Sequence, residues 1–148
     1  MDMASRRIDV FFYGLFMDVA LLQQQGIQPS NVRKARVEGF DLVIAERATL
    51  VPRAAHTVFG VLISFTHEDV THLYTDASVQ DYRPEAVLAI TEDGQSIPAL
   101  CYNLTTPPTG PVANRAYAAA LLDLAQRLGF PDTYQASIRH FTGGANQP

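Results

Sequence analysis

The chain has 148 residues, 47% of them hydrophobic and 18% charged, with a formal net charge of -4 and a pI near 5.4. This is the size and balance of one globular domain with a single core, large enough to bury roughly two-thirds of its unfolded surface without a disulfide or metal staple. The acidic balance argues against nucleic acid as a partner, because phosphate binding needs a concentrated positive face. No stretch approaches the roughly 20 apolar residues of a membrane span.

In chain order, MDMASRRIDVFFYGLF places basic residues before an apolar run. That run is short, carries Asp9 and ends in a turn, unlike a signal peptide, so a cytoplasmic location is expected. Residues 8 to 13 (IDVFFY) read as a buried strand and Met17 to Gln25 as a short helix stopped by Gly26, with the Tyr13-Gly14 step as the hinge between them. RKAR, residues 33 to 36, reads as a solvated strand entrance rather than an anion site. Residues 35 to 45 and 57 to 65 are β-branched and aromatic and predict long strands, separated by ERATLVPRAAH. Gly39 and Gly60 within them predict bulges or bends that curve a sheet.

Thr66 with Asp69 three residues on is a capping-box variant that starts a short helix to about Tyr74. TDASVQD follows without periodicity. YRPEAVLAI and SIPALCYNL then flank EDGQ, whose Asp93-Gly94 pair predicts a hairpin. Pro84 and Pro98 belong at edges or bulges, since neither donates to a ladder. Cys101 sits in the alternation ALCYNL, as a buried strand thiol would, and as the one cysteine it cannot form an internal disulfide; a reducing compartment suits it.

TTPPTGP, residues 105 to 111, predicts a connector rather than a domain boundary, because too little chain follows for a second core. Asn114 caps a predicted helix with Tyr117, Leu121, Leu124 and Leu128 on one stripe and Gly129 and Pro131 as the stop. A last helix spans about Asp132 to His140, and GGANQP is expected to be a disordered tail. The sum is one α+β domain with its core over about 8 to 141. It has five or six curved strands and short outer helices, and closure into a small barrel is possible.

The common chemical signatures are absent. The histidines at 56, 67, 72 and 140 include a His67/His72 pair spaced five apart, which is not the four-residue spacing that sets two rings on one helix face for zinc. No metal or other cofactor is expected. No GxGxxG, P-loop or GxSxG occurs. What is left is the hinge. A strand-loop-helix junction offers unpaired backbone N–H groups, and Gly14 lets the main chain approach a ligand closely, which suits a carboxylate or an oxyanion. The same residues also suit a plain corner that buries its aromatics.

The ordered set FYGLFMD, VEGFDL, VFGVLISF, a short helix ending in HLY, YRPEAVLAI, EDG, PALCYNL and GFPDTY resembles the γ-glutamylcyclotransferase-like (AIG2-like) family over about residues 8 to 141. The resemblance implies a small mixed β-barrel with flanking helices. It also implies cyclisation of a γ-glutamyl amine or peptide, in which the substrate's α-amine attacks its own γ-carbonyl to give 5-oxoproline and a free amine. In that family a loop after the first strand binds the glutamyl moiety through its backbone, which corresponds here to Tyr13, Gly14, Leu15 and Phe16. A tyrosine early in the helix before the Gly129 turn corresponds to Tyr117. The family's acid/base is a glutamate after the short helix, and aligning its leucine with Leu73 puts Ala77 there.

Alanine carries no proton, so the catalytic candidate is Asp76, one residue earlier and about 1.5 Å shorter in reach than glutamate. Asp81 and Glu85 are further candidates. Leu15, where the family often has serine, keeps the backbone donors but makes the pocket mouth more apolar. Tyr82 and Tyr102 are candidate pocket walls, with core packing the better role for Tyr102. The expected ligand is a γ-glutamyl compound or a small carboxylate; the alternative to an enzyme is a non-catalytic member that binds such a ligand in the same pocket.

Overall fold

Long β-branched and aromatic runs dominate residues 30 to 66, and in the computed structural model they form the two longest strands of a closed five-stranded barrel. The structure describes residues 7–74, 81–106 and 113–143. Strand β1 (Arg7–Phe12) pairs antiparallel with β3 (Ala48–Thr66), from Arg7 opposite Thr66 to Phe12 opposite Val61. The other edge of β3 pairs with β2 (Ser30–Ile44), and β2 meets β4 (Tyr82–Thr91) at Ala35–Thr91 and Arg36–Ile90. Strand β5 (Ser96–Leu104) forms a hairpin with β4 and closes the barrel in parallel with β1 at Val10–Leu100. Val10, Phe11, Leu62, Ile63 and Phe65 fill the core, and Cys101 is buried.

Local signals set most of the boundaries. Gly94 turns the β4–β5 hairpin at φ +87°, with its N–H on the Thr91 carbonyl at 2.9 Å. Pro84 and Pro98 lie where their strands have a ladder on one side only. Thr66 Oγ1 accepts from the Asp69 N–H at 3.2 Å and caps helix α2 (His67–Leu73). Asn114 caps α3 (Arg115–Leu128), which Gly129 ends in the left-handed conformation, and α4 spans Asp132–His140 as expected. No described helix is long and apolar enough to cross a membrane.

Four expectations change. The helix predicted over 17 to 25 is a 3₁₀ turn, Leu15–Met17, followed by α1 (Val19–Gln24); Asp18 is extended between them because its side chain takes the Ala20 N–H as an N-cap. The strand expected from residue 35 starts at Ser30, so RKAR is interior to β2. There Arg33 pairs with Asp9 at 2.7 Å, Lys34 Nζ donates to the Leu128 carbonyl at the end of α3, and Arg36 lies 3.5 Å from Glu38. Most of the expected connector 46 to 56 belongs to β3, whose Ala48, Thr49 and Leu50 are buried. The reason is a bend in the β2–β3 hairpin. Between the pairs Glu38–Thr57 and Phe40–Pro52, Gly39 alone faces residues 53 to 56, and both Gly39 and Ala55 have positive φ.

Gly60 is the fourth. Of the bulge or bend expected there, the bulge is absent, since pairing runs unbroken from Lys34–Val61 to Arg36–Phe59 around it. It serves a close approach instead, since an added Cβ would overlap the Phe12 carbonyl oxygen and come within 2.7 Å of the Phe11 ring. The loop at 75–80, the connector at 107–111 and the expected tail beyond residue 143 lie outside the described residues. Gly60→Ala should therefore lower unfolding free energy by about 3 kcal/mol, measured by chemical denaturation, because the overlap is with backbone that cannot swing aside.

Candidate functional site

Phe11 and Phe12 anchor the end of β1 in the core, and the chain then leaves the barrel through Tyr13 and Gly14. The Tyr13 hydroxyl donates to the Tyr102 carbonyl of β5 at 2.7 Å and pins the loop to the strand that closes the barrel. The 3₁₀ turn begins its own bonding at the Met17 N–H, which donates to Gly14, so the Leu15 and Phe16 N–H groups sit ahead of that pattern. Gly14 has an ordinary extended φ of −112°; its need for glycine is contact, because a Cβ there would overlap the Tyr117 hydroxyl. Tyr117 is held by Asn114, whose Oδ1 accepts the Tyr117 N–H at 3.0 Å. The same asparagine donates its backbone N–H to Ala45 at 2.6 Å and its Nδ2 to the Glu46 carbonyl at 3.2 Å. One residue thus ties the start of α3 to the tip of the bent hairpin.

Loop, helix and hairpin tip enclose a cavity of about 400 Å³. The stretch Phe11 to Phe16 forms one wall and Glu46, Arg47 and Ala48 another. Five of the six tyrosines line it: Tyr13, Tyr74, Tyr82, Tyr102 and Tyr117. Tyr74 stacks on Tyr102 with centroids 3.8 Å apart and planes 12° apart, and Phe16 meets Tyr74 edge-on at 6.4 Å. The Tyr82 hydroxyl donates to the Ala48 carbonyl, and the Arg47 guanidinium lies 5.8 Å from the Tyr82 ring centre.

Burial keeps this lining neutral. It holds Tyr13 and Tyr74 well above the usual phenol range, with Cys101 adding to both. Burial also takes Tyr117 to about 12, with Tyr82 adding and a backbone hydrogen bond at Leu15 opposing. Tyr82 is raised by burial against the pull of Arg47, and Tyr102 by burial alone. The Cys101 thiol is pushed up to about 12 by burial and then by Glu85, so it is an inert packing group. Among the described residues, the charged side chains lining the cavity are Glu46 and Arg47.

The six residues expected to bind substrate, Tyr13, Gly14, Leu15, Phe16, Tyr82 and Tyr117, all line this one cavity. Asp76 and Ala77 lie outside the described residues. Asp81 instead pairs with Arg47 at 3.1 Å, and Glu85 accepts from Asn103 Nδ2 at 2.8 Å; neither lines the cavity. Tyr102, a candidate pocket wall for which core packing is the better sequence reading, lines the cavity, because strand alternation gives the core to Ala99, Cys101 and Asn103 and turns Tyr102 onto Tyr74. Glu46, Arg47 and Tyr74 escaped the sequence reading. For the first two, the local signal was the mostly apolar run Ala48–Val51, too short to mark a strand by periodicity alone. Among the described residues no group of three or more His, Cys, Asp and Glu is arranged to hold a metal ion.

A small mixed barrel whose first strand feeds a tight glycine turn into an aromatic pocket defines a class of proteins. The sequence profile of the family γ-glutamyl cyclotransferase, AIG2-like matches residues 10–119, and the chain belongs to that family. Among solved structures, the fold is similar to a γ-glutamyl cyclotransferase with a TM-score of 0.74 at 19% identity, over 90% of this chain and 87% of that one. It is also similar to YkqA from Bacillus subtilis, with a TM-score of 0.76 at 20% identity over 95% of this chain and 55% of that one. An AIG2-like protein from Mus musculus gives 0.58 at 19% identity, over 70% of this chain and 80% of that one. A search of curated proteins finds no match.

Two outcomes follow from the packing. Gly14→Ala should cost about 1–2 kcal/mol of stability, and in a Tyr117→Phe background most of that cost should vanish, because the overlap is with the hydroxyl oxygen while the Cζ carbon stands 3.8 Å away; a double-mutant cycle by denaturation reads it. On pH the sign is fixed by which state holds protons. The unfolded chain ionises Cys101 and Tyr117 near 9.0 and 10.0, whereas the fold keeps both protonated to about 12. Stability is then complete below about pH 9 and falls as pH rises toward 12, with Cys101→Ala removing the earliest part of the fall; denaturation midpoints over that range test it.

Proposed function

We propose that the chain cyclises a γ-glutamyl amine or peptide to 5-oxoproline with release of the amine. The observation that carries this reading is that the Tyr13–Phe16 turn and Tyr117, from opposite ends of the sequence, wall a single cavity of about 400 Å³, room for a glutamyl unit with part of its amine. In the reaction the neutral α-amine forms a C–N bond to the γ-carbonyl carbon, and its proton passes to a carboxylate. The Phe16 N–H stabilises the oxyanion, the γ-amide C–N bond breaks, and the carboxylate returns the proton to the leaving nitrogen. Neutral phenols that exclude water would raise the pKa of a carboxylate entering the cavity, toward what an acid/base needs at neutral pH. Asp76 is the residue to which we assign that role.

One sequence observation favours a second reading: Ala77 stands where the family's glutamate aligns, as in a non-catalytic member that keeps a small carboxylate or amino acid as ligand. Release of 5-oxoproline from a panel of γ-glutamyl dipeptides and amines separates the two, with Asp76→Asn alongside. Turnover that drops about 100-fold or more in the variant is expected. Undiminished activity in Asp76→Asn removes the residue from the mechanism, and a thermal shift with 5-oxoproline in the absence of any product supports the receptor.

A further inference from the structure

Glu46 and Arg47 belong to two cavities at once. At the hairpin tip they also line a second space of about 340 Å³, to which Asp81, Arg83 and Thr105 contribute. The two spaces differ in chemistry: apart from the shared Glu46 and Arg47 the first is walled by aromatic and apolar groups, whereas the second adds the charges of Asp81 and Arg83. Arg47 is the cation in their common wall. Its guanidinium is seated over the Tyr82 ring and pairs with Asp81, and the Asp81 side chain is 71% exposed. An ion pair this open to water contributes less than about 1 kcal/mol, so a ligand carboxylate can replace Asp81 with little loss. The Tyr82 ring keeps the guanidinium in place during that exchange.

We infer that Arg47 selects the amine half of the substrate by taking a free carboxylate on the group that leaves, so that γ-glutamyl amino acids and peptides are preferred over γ-glutamyl amines that lack one. This rests on the reading of the aromatic cavity as the glutamyl site. The side of Arg47 on which the anion binds is marked by Asp81, which lines the charged space and not the aromatic one. A carboxylate replacing Asp81 therefore lies outside the glutamyl cavity, and the inference puts the amine half on that side.

The test is calorimetric binding, so it needs no turnover. The ligands are 5-oxoproline, glutaryl-glycine, which is γ-glutamyl-glycine without the α-amine and so cannot cyclise, and the terminal amide of that analogue. The native protein should bind the carboxylate form about tenfold more tightly than the amide. Arg47→Gln should abolish that preference, Asp81→Asn should increase it a few-fold by removing the competing anion, and neither should abolish 5-oxoproline binding. Equal binding of the two analogues by native protein overturns the inference. So does an Arg47→Gln variant that loses 5-oxoproline as well, which would place the glutamyl carboxylate on Arg47, or an Asp81→Asn variant that weakens binding as Arg47→Gln does, which would make the pair structural. If native protein binds none of the three ligands, the glutamyl reading itself falls and takes this inference with it; 5-oxoproline binding without a carboxylate preference sinks the inference alone.

Discussion

The site depends on the bend in the β2–β3 hairpin. A straight hairpin of this length would project from the barrel and leave the space beyond the Tyr13–Phe16 turn open. The bulge at Gly39 redirects its outer half, and Ala48, Thr49 and Leu50 become buried. Polar contacts then hold it down. The Leu104 N–H donates to Thr49 Oγ1 at 2.9 Å, the Leu50 N–H to Asn103 Oδ1 at 3.4 Å, and Asn114 grips the tip from the helix side. Thr49 and Asn103 are among the few buried polar residues, and both are satisfied by this closure. Glu46, Arg47 and Ala48 reach the cavity only because of it.

The tyrosines follow from the same enclosure. Each brings a large apolar ring and one polar atom, so the cavity can be dry and still offer hydrogen bonds. Two of those hydroxyls are spent on architecture, Tyr13 on Tyr102 and Tyr82 on Ala48, and these bonds tie the lining to strands β5 and β3. Because burial holds the phenols neutral, charge is confined to the rim, where Arg47 borders a more polar space. A catalytic carboxylate in such surroundings would owe its basicity to the low dielectric rather than to a charged neighbour.

Much of the architecture was legible because it is written locally. Asp93-Gly94, the Thr66 cap, the Asn114 cap and the Gly129 stop each depend on a few adjacent residues, and each stands where the sequence puts it. The five pocket residues drawn from the family resemblance, and Tyr82 proposed as a wall beside them, also converge on one cavity. What escaped has long-range causes. Gly60 is glycine because of Phe12, which is distant in sequence, and the ERATLVPRAAH segment is strand because the bend lets it pair and bury. Tyr102 reads as pocket wall or core because a tyrosine suits either face, and only the pairing register with β4 decides between them.

The sequence by itself determined the family, the α+β class, the helix caps and turns, and the YGLF stretch as the place to look, since propensity, capping and motif order are properties of neighbouring residues. The tertiary structure alone decided that the hairpin folds back, that five tyrosines scattered from position 13 to 117 share one cavity, and that Arg47 stands between an aromatic space and a charged one. Those are contacts between segments tens of residues apart, and their geometry comes from barrel closure and a bulge whose direction no local pattern encodes.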